Sequence, residues 1–178
     1  MVMFYALLAL CFSSGALAQM AGWGACPEVE TMKDFNIRDM QGRWYEAARY
    51  FSLGGMMLKC VKSDLLHGGG PGIIQMNTTA MSRLTGKMMS IEGIKIRVAD
   101  AEEPGKLEVQ LPSSDMWHRY WILGSDARNW IVGYSCVDLQ LIHLKYVWIS
   151  TRQQEASDKV MQKAFKVMKK QKLNTEWI

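Results

Sequence analysis

The sequence predicts an all-β protein with one C-terminal helix. Eight short segments with the composition of strands follow one another at regular spacing after Gly42, and turn residues separate them. From Ala156 onward the apolar residues recur at helical spacing instead. Strands of this length and spacing indicate an antiparallel barrel or a sandwich, and the residues alone do not choose between the two.

The composition is that of one folded domain. The chain has 178 residues, of which 49% are hydrophobic and 21% charged, enough for one domain with a hydrophobic core or for one closed barrel. Seven tryptophans and fourteen methionines suit a large, adaptable apolar cavity, although a Trp-rich core would account for them as well. The net charge of +4 is mild and no basic run is interleaved with aromatic residues, so we predict no nucleic-acid partner. No repeat or linker is evident, and residues 19–178 are predicted to form a single domain.

Residues 1–18 are predicted to be a secretory signal peptide. Residues 2–12 form an apolar run that is too short to span a bilayer. The small residues of Ala16-Leu17-Ala18 fit a cleavage site before Gln19. No later stretch is long and apolar enough to span a membrane, so we expect a secreted, extracellular protein without stable membrane insertion.

The cysteines are odd in number once the signal is removed. Cys11 would leave with the signal, and Cys26, Cys60 and Cys136 would remain in an oxidising compartment. One intramolecular bridge and one spare thiol is the simplest arrangement. Periodicity does not say which pair forms.

The first strand is predicted over residues 43–51, after an irregular arm over residues 19–39 whose last part is extended. Gly42 directly precedes Arg43-Trp44-Tyr45-Glu46. A glycine before large aromatic residues indicates a tight backbone entry into a sheet, with the rings at one end of a barrel. A core tryptophan at a strand start would fit the same pattern. The run Leu53-Gly54-Gly55 ends this strand.

Seven further strands are predicted from alternation and from turn residues. In the fourth strand, Ile94, Ile96 and Val98 alternate with basic residues, so one face is buried and the other is wet. Asn77-Thr78-Thr79 is an N-glycosylation acceptor, and it makes Asn77 a predicted glycosylation site because the chain is predicted to be secreted. The predicted strands are residues 59–66, 73–81, 88–98, 107–111, 117–125, 130–136 and 141–151.

The helix is predicted over residues 156–170. Its apolar stripe contains Val160, Ala164 and Met168, and Ser157-Asp158 supplies an N-cap region. The lysines on its other faces are interpreted as a solvated surface rather than as a site for membranes or polyanions. Residues 173–178 could add a short final strand.

Three short motifs make the chain resemble the lipocalin family. The first is Gly42-Arg43-Trp44; the second, in altered form, is Ser125-Asp126-Ala127-Arg128-Asn129-Trp130; the third is Arg152 at the end of the last strand. Residues 24–29, 42–50 and 129–136 are similar to the subgroup that contains apolipoprotein D, the insect bilin-binding proteins and the insecticyanins. The resemblance covers essentially the whole chain after the predicted signal.

The resemblance implies an eight-stranded antiparallel up-and-down β-barrel with a C-terminal α-helix. It also implies that Gly42, Trp44, Asp126 and Arg152 are structural motif residues, with Arg152 packed over Trp44 at the narrow end. In the subgroup, Cys26 would pair with Cys136. The sequence has no C-terminal partner for Cys60, which is expected to be either a buried small hydrophobe, the preferred interpretation, or a thiol that pairs between chains.

The function that the resemblance implies is a secreted carrier of a small hydrophobic ligand. The ligand would be a lipid, a steroid or a retinoid, or a pigment such as biliverdin or a carotenoid, and no cofactor is expected beyond such a bound tetrapyrrole or carotenoid chromophore. Trp148 matches a pocket tryptophan of the subgroup; simple core packing would explain the other candidates as well. The predicted ligand contacts are Ala48, Tyr50, Ile94, Ile96, Val98, Trp121, Leu123, Tyr134, His143, Tyr146 and Trp148.

Two alternatives remain open. One is a lipocalin-type isomerase that uses Cys60, which would need a nearby cation to lower the pKa of its thiol; we predict that the protein is not an enzyme. The other is a colour or assembly protein that acts through homo-oligomers. The histidines His67, His118 and His143 have no ligand spacing with cysteines or carboxylates, so no metal is predicted.

Overall fold

The computed structural model describes residues 21–68, 70 and 72–178. The predicted signal peptide, with Cys11, lies outside the described residues. In the described part of the chain the strands are β1 (Ala21–Trp23), β2 (Gly42–Arg49), β3 (Leu58–His67), β4 (Ile73–Ser82), β5 (Met88–Val98), β6 (Lys106–Gln110), β7 (Trp117–Ser125), β8 (Trp130–Asp138) and β9 (Ile142–Thr151). The helices are α1 (Leu53–Met56), α2 (Asp158–Lys170) and two 3-10 turns, Ile37–Met40 and Thr175–Trp177.

Strands β2 to β9 close into a barrel. Each pairs antiparallel with the next in the chain, and β9 also pairs with β2, where Tyr45 lies opposite Thr151. A closed sheet leaves no unpaired edge, which is how a barrel protects its backbone hydrogen-bonding groups. The predicted eight-stranded antiparallel barrel with a C-terminal helix is therefore confirmed, and the sandwich is wrong. β1 adds a short ninth strand alongside the start of β9, with Gly22 opposite His143.

The barrel has two different ends, because every strand runs opposite to its neighbours. The start of β2 and the β3–β4, β5–β6 and β7–β8 connections lie at one end, called the closed end below. The β2–β3 connection with α1, and the β4–β5, β6–β7 and β8–β9 connections, lie at the other end, called the open end.

Bulges bend several strands and change which side chains face inward. The pairing register shifts between Glu46 and Ala48 of β2, between Lys59 and Lys62 of β3, and within the pairs β4–β5 and β7–β8. Such an extra residue increases the local twist, which helps a sheet to close, and reverses the alternation of faces beyond it. In β2 this places Arg49 on the same side of the sheet as Glu46.

Two apolar clusters hold the fold. The inner cluster fills the closed end of the barrel with Trp44, Ile96 and Ile122 and with residues of the arm that precedes β2, among them Phe35 and Met40. The outer cluster lies between the barrel wall and α2. It contains Ala164 and Met168 of the helix with residues of β8 and β9, all of them buried. The space inside the open half of the barrel belongs to neither cluster.

The predictions outside the barrel are partly wrong. The approach to β2 is not extended throughout, because Ile37–Met40 forms a 3-10 turn that begins at Asn36, whose Oδ1 accepts the N–H of Arg38 at 3.1 Å. The arm is not wholly irregular, since it contains β1. The final segment is not a strand: Asn174 Oδ1 accepts the N–H of Glu176 at 2.8 Å and starts a second 3-10 turn. In both turns an Asn side chain satisfies a backbone donor locally, which favours a turn over a strand.

Candidate ligand cavity

The closed end is sealed by a tryptophan beneath an arginine. Trp44 is buried, and its Nε1–H donates to the carbonyl of Met40 at 2.6 Å. The guanidinium of Arg152 lies 3.8 Å from the centre of the indole ring, which is the cation–π contact that the resemblance implies. The same guanidinium donates to the carbonyls of Arg43 at 3.1 Å and Asp39 at 3.0 Å, so it ties β9 to the start of β2.

This contact requires a glycine at position 42. Gly42 has a φ of 95°, in the region that residues with a side chain rarely adopt. A Cβ at this position would lie 2.9 Å from Nη1 of Arg152. A side chain at position 42 would therefore strain the backbone and displace the guanidinium from its place over Trp44.

Asp126 organises the turn between β7 and β8 at the same end. Its Oδ1 accepts the backbone N–H groups of Asn129 at 2.7 Å and Trp130 at 3.2 Å, and its Oδ2 accepts the side-chain amide of Asn129 at 3.0 Å. Burial opposes ionisation of this carboxyl, but the hydrogen bonds to Asn129 and Trp130 prevail and lower the pKa of Asp126. The Asp is therefore held as a carboxylate that shapes the turn.

The open half of the barrel encloses a cavity of about 450 Å³. This volume is within the range of small-molecule sites, and all eight barrel strands contribute to the wall. The lining residues are Trp44, Glu46, Val61, Ser63, Met76, Thr78, Ile94, Val109, Leu111, His118, Arg119, Tyr120, Ser135, Val137, Tyr146, Trp148 and Ser150.

One side of the cavity is an aromatic wall. The rings of Tyr146 and Trp148 are stacked with centres 6.3 Å apart and planes 14° apart, and Tyr120 lies 5.4 Å from Trp148. Gly133 of β8 makes room for this group, because a Cβ there would lie 3.3 Å from the Trp148 ring and 3.6 Å from Tyr120. Adjacent aromatic faces give a broad apolar surface against which a flat ligand can pack.

A polar group faces the same cavity. Glu46 Oε1 pairs with Nη1 of Arg49 at 2.9 Å, and both side chains are largely shielded from solvent. Arg49 also donates to the carbonyls of Gly55 and Leu58, so it is anchored to the β2–β3 connection. Burial raises the pKa of Glu46, and Arg49 offsets only part of that effect. Burial, with a smaller contribution from Glu46, raises the pKa of Tyr120 to about 12.

A second polar contact lies across β3 and β4. The hydroxyls of Ser63 and Thr78, both on the cavity wall, are hydrogen-bonded at 2.8 Å. The cavity thus combines an apolar and aromatic surface with a few polar groups, the composition that fixes the orientation of a mostly hydrophobic ligand.

Comparisons with known proteins agree with this architecture. The model of the lipocalin / cytosolic fatty-acid binding protein family matches residues 41–178. The chain is a lipocalin. It is 30% identical to apolipoprotein D of Mus musculus over 158 residues, which cover 85% of this chain and 78% of the relative. It is 27% identical to the bilin-binding protein of Pieris brassicae over 150 residues, 82% of this chain and 77% of the relative.

Solved structures show the same fold. Insecticyanin from the tobacco hornworm Manduca sexta superposes with a TM-score of 0.73 at 19% identity, over 85% of this chain and 82% of that chain. These comparisons confirm that the chain is a lipocalin, as the sequence motifs indicate. They also confirm its similarity to apolipoprotein D and to the bilin-binding proteins.

Three of the predicted ligand contacts of this lipocalin reach the cavity wall: Ile94, Tyr146 and Trp148. Ile96 and Val98 lie on the same inward face as Ile94 but closer to the closed end, where Ile96 is fully buried in the inner cluster and Val98 packs against it. They lie in the packed region below the cavity, so their predicted place on its wall is wrong.

Five others face outward, away from the cavity. Tyr50, Leu123 and Tyr134 belong to the outer cluster, and Ala48 and Trp121 pack against it. The hydroxyl of Tyr50 donates to the carbonyl of Asn174 at 2.8 Å, on the outside of the barrel. The bulge of β2 explains why the prediction for Ala48 is wrong, because Ala48 follows the register shift and lies opposite Ile149, which faces outward.

The predicted position of His143 on the cavity wall is also wrong. It is buried beneath β1, and its Nδ1 donates to the carbonyl of Gly24 at 3.0 Å. A Cβ on Gly22 would lie 2.5 Å from the imidazole, so the ring fills the space that this glycine leaves. The side chain fastens the N-terminal strand rather than lining the cavity.

The cavity residues that the prediction missed share one signal. Trp44 points inward, and residues paired directly across neighbouring strands share a face. Following the pairing from Trp44 to Ser63, from Ser63 to Thr78 and along β4 to Met76 gives the wall of three strands. Once these registers are known, alternate positions counted from the motif tryptophan reach the inward residues. Because Ser63 and Thr78 are polar, a pattern of alternating apolar residues does not include them.

The cysteines are arranged as the subgroup likeness implies, with one difference. Cys26 and Cys136 form a disulfide, as predicted, and it closes a long loop that is worth roughly 4–5 kcal/mol on the chain-entropy model. Cys60 is a free thiol among the described cysteines, but it is exposed at the β3 bulge with a φ of 53°. The buried-thiol interpretation is therefore wrong.

Asn77 remains a predicted glycosylation site. It lies in β4 and its Oδ1 accepts the N–H of Gly93 at 2.9 Å, a donor in the region where the β4–β5 register shifts.

In the described residues no group of three His, Cys, Asp or Glu side chains is placed to hold a metal ion. No helix in that part of the chain is long and apolar enough to cross a membrane.

Proposed function

We propose that this lipocalin is a secreted carrier that binds a small hydrophobic ligand inside its barrel. The observation that carries the proposal is the 450 Å³ cavity, closed at one end by Trp44 and lined by all eight barrel strands. Removing apolar ligand surface from water into such a site contributes about 25 cal/mol per Å². The disulfide between Cys26 and Cys136 supports secretion, because such bonds persist in oxidising compartments.

Ile94, Tyr146 and Trp148 are proposed to contact the ligand. Trp148 lies at the centre of the aromatic wall, between Tyr120 and Tyr146. Glu46 is proposed to orient the ligand, since it is a carboxyl on the cavity wall whose salt-bridge partner, Arg49, is also held by the β2–β3 connection.

The ligand classes are a lipid, a steroid or a retinoid, and a pigment such as biliverdin or a carotenoid. The stacked faces of Tyr146 and Trp148 favour a flat, conjugated molecule, because extended π-systems pack well against parallel rings. A relative whose name states that it binds a bilin supports the pigment. A tetrapyrrole or carotenoid chromophore would then lie against this wall.

The exposed Cys60 favours a second candidate, an assembly function through covalent dimers. Because the thiol is accessible, two copies could be joined by a disulfide. A dimer on non-reducing gels that Cys60→Ser abolishes would support this function, and a monomer at all concentrations would exclude it. The isomerase alternative has no such support, since Cys60 is not among the described residues that line the cavity.

The test of the carrier function is the cargo itself. The protein purified from its natural source is examined by absorption spectroscopy, then denatured, and the released molecules are identified by mass spectrometry. A visible band with a released tetrapyrrole or carotenoid would identify a pigment carrier, and a released fatty acid or sterol would identify lipid transport. Release of no small molecule would contradict the proposal.

A pair of tryptophan variants tests the site. Trp148→Ala removes part of the cavity wall and should weaken binding of the identified cargo by roughly 5–30-fold. Trp121→Ala is the matched control, because Trp121 lies on the outer face of the barrel beside Lys106 and Arg119. Near-UV circular dichroism verifies that both variants are folded. Equal losses in the two variants would contradict a ligand in the barrel.

A further inference from the structure

Exposed apolar side chains are concentrated at the open end of the barrel. Among the described residues, twelve large hydrophobic residues have exposed fractions of 38–88%, and eleven of them lie in the connections or strand parts of the open half. The exception is Leu66, near the closed end. The most exposed are Trp23 at 88%, Leu84 at 77%, Leu141 at 76% and Met116 at 66%.

These side chains come from separate parts of the chain. Leu84 is in the β4–β5 hairpin, Met116 in the β6–β7 connection and Leu141 in the β8–β9 connection, while Met56 ends α1 and Trp23 ends β1. The name mouth ring is used below for these five side chains. Hairpin tips are ordinarily polar, and exposed apolar side chains gathered at one end of a protein mark an interaction site.

The ring adjoins the entrance to the cavity. Leu111 and Val137 are exposed to solvent and also line the cavity, so the apolar surface continues from the loops into the barrel. A partner that covers the ring therefore also meets the entrance.

Beside the mouth ring, the β4–β5 hairpin carries basic side chains. Arg83 and Lys87 flank Leu84, both are exposed, and residues 81–91 contain no acidic residue. Arg83 donates to the carbonyl of Leu58 at 3.1 Å, which holds it beside the β2–β3 connection. Asp115 lies in the β6–β7 connection and Asp138 ends β8, so the cationic side of the ring is the β4–β5 hairpin.

We propose that the mouth ring docks the barrel, open end first, onto an anionic phospholipid surface. Apolar tips flanked by Arg and Lys match a headgroup layer above hydrocarbon, where each cation near the surface adds roughly fivefold in affinity. A second copy of the chain would present the same cations and would cover both entrances. On a lipid surface the entrance instead faces the hydrocarbon, so an apolar ligand passes between bilayer and cavity without crossing water.

The experiment is vesicle flotation of the mature chain, which needs no knowledge of the cargo. The probes are vesicles of phosphatidylcholine alone and vesicles that also contain phosphatidylserine. The protein should float with the anionic vesicles, less with the neutral ones, and less again as salt is raised. Failure of the carrier function would show in the cargo analysis and leave this result unchanged.

Matched variants locate the contact. Leu84→Ser combined with Leu141→Ser should weaken vesicle binding by about tenfold or more, because each removes an apolar side chain that would enter the lipid. Leu66→Ser makes the same change at the closed end and should have no effect. Arg83→Gln with Lys87→Gln should remove most of the preference for anionic vesicles.

Three results would overturn the proposal. The first is that the protein binds neither kind of vesicle. The second is that Leu66→Ser weakens vesicle binding as much as the Leu84 and Leu141 variant does. The third is that the parent protein does not bind vesicles but forms a concentration-dependent dimer in analytical ultracentrifugation, which the Leu84 and Leu141 variant abolishes. The last result would identify the mouth ring as a contact between copies.

Discussion

Replacing Arg152 by Met tests the physical account of the closed end. The change keeps the aliphatic part of the side chain and removes the guanidinium, which lies 3.8 Å from the Trp44 ring centre. The cation–π contact contributes about 1 kcal/mol, and the hydrogen bonds to the carbonyls of Arg43 and Asp39 contribute about 1 kcal/mol each. Since Arg152 is partly exposed, we expect a loss of about 2–3 kcal/mol in the free energy of unfolding, or roughly 5–10 °C in Tm.

Denaturant unfolding followed by tryptophan fluorescence measures this loss, with a double-mutant cycle that includes Trp44→Leu. The coupling free energy between the two sites should be about 1 kcal/mol, the part that belongs to the cation–π contact. Arg43→Met is the matched control, because Arg43 pairs with Asp64 on an exposed surface and its loss should cost clearly less than the loss of Arg152. A loss below about 0.5 kcal/mol for Arg152→Met, with a coupling indistinguishable from zero, would refute the reasoning.

Three further predictions concern single side chains. Asp126→Asn should destabilise the protein near neutral pH, because an amide nitrogen cannot accept the hydrogen bond that Oδ2 receives. Since folding lowers the pKa of Asp126, the stability difference between parent and variant should shrink as the pH falls through that pKa. Thermal unfolding as a function of pH measures this difference, and a difference that does not change with pH would contradict the prediction. Glu46→Gln should gain stability relative to the parent protein as the pH rises. A carboxyl whose pKa is raised by folding contributes its full stabilisation below its unfolded pKa, and this contribution is lost as the pH rises through its folded pKa. A variant that gains stability relative to the parent on acidification would contradict this prediction. Cys26→Ser should lower the unfolding free energy by roughly 4–5 kcal/mol, measured in denaturant beside Cys60→Ser, whose exposed thiol should cost little; similar losses would contradict the assignment of the bridge.

The strands of the barrel could be predicted because their signals are local. Alternation of Ile94, Ile96 and Val98 with basic residues located β5, and glycine-rich turns located its neighbours. The closure of the barrel could not be deduced from periodicity, because a sandwich would show the same alternation. That step depended on the motif residues Trp44 and Arg152, which report a contact between distant parts of the chain.

The candidate site was less predictable, and bulges are one physical reason. In a regular strand Arg49 would not pair with Glu46, because it is three residues away and would face the other side of the sheet. The bulge between Glu46 and Ala48 reverses the faces and joins the pair, while it turns Ala48 outward. A bulge depends on the pairing of two strands, so no pattern within one strand announces it.

The second reason is that alternation identifies a face and not a depth. Ile94 and Ile96 share the inward face of β5, yet Ile94 lines the cavity and Ile96 packs in the inner cluster. Where packing ends and the cavity begins depends on side chains from other strands, such as Trp44 and Ile122. Only the assembled barrel shows that boundary.

The bridge between Cys26 and Cys136 also determines how the molecule bears mechanical force. The two cysteines are 110 residues apart, and β2 to β7 lie entirely within the covalent loop, whereas β9 and α2 lie outside it. A pull applied beyond the two cysteines passes through the sulfur atoms, so it can strip β1, β9 and α2 from the barrel while the bridge keeps the chain inside the loop from being extended. Reduction of the bridge would release about 360–400 Å of hidden contour length, at roughly 3.3–3.6 Å per residue. The disulfide thus divides the barrel into strands that a pull on the chain ends can remove and strands that such a pull cannot extend while the bridge is intact.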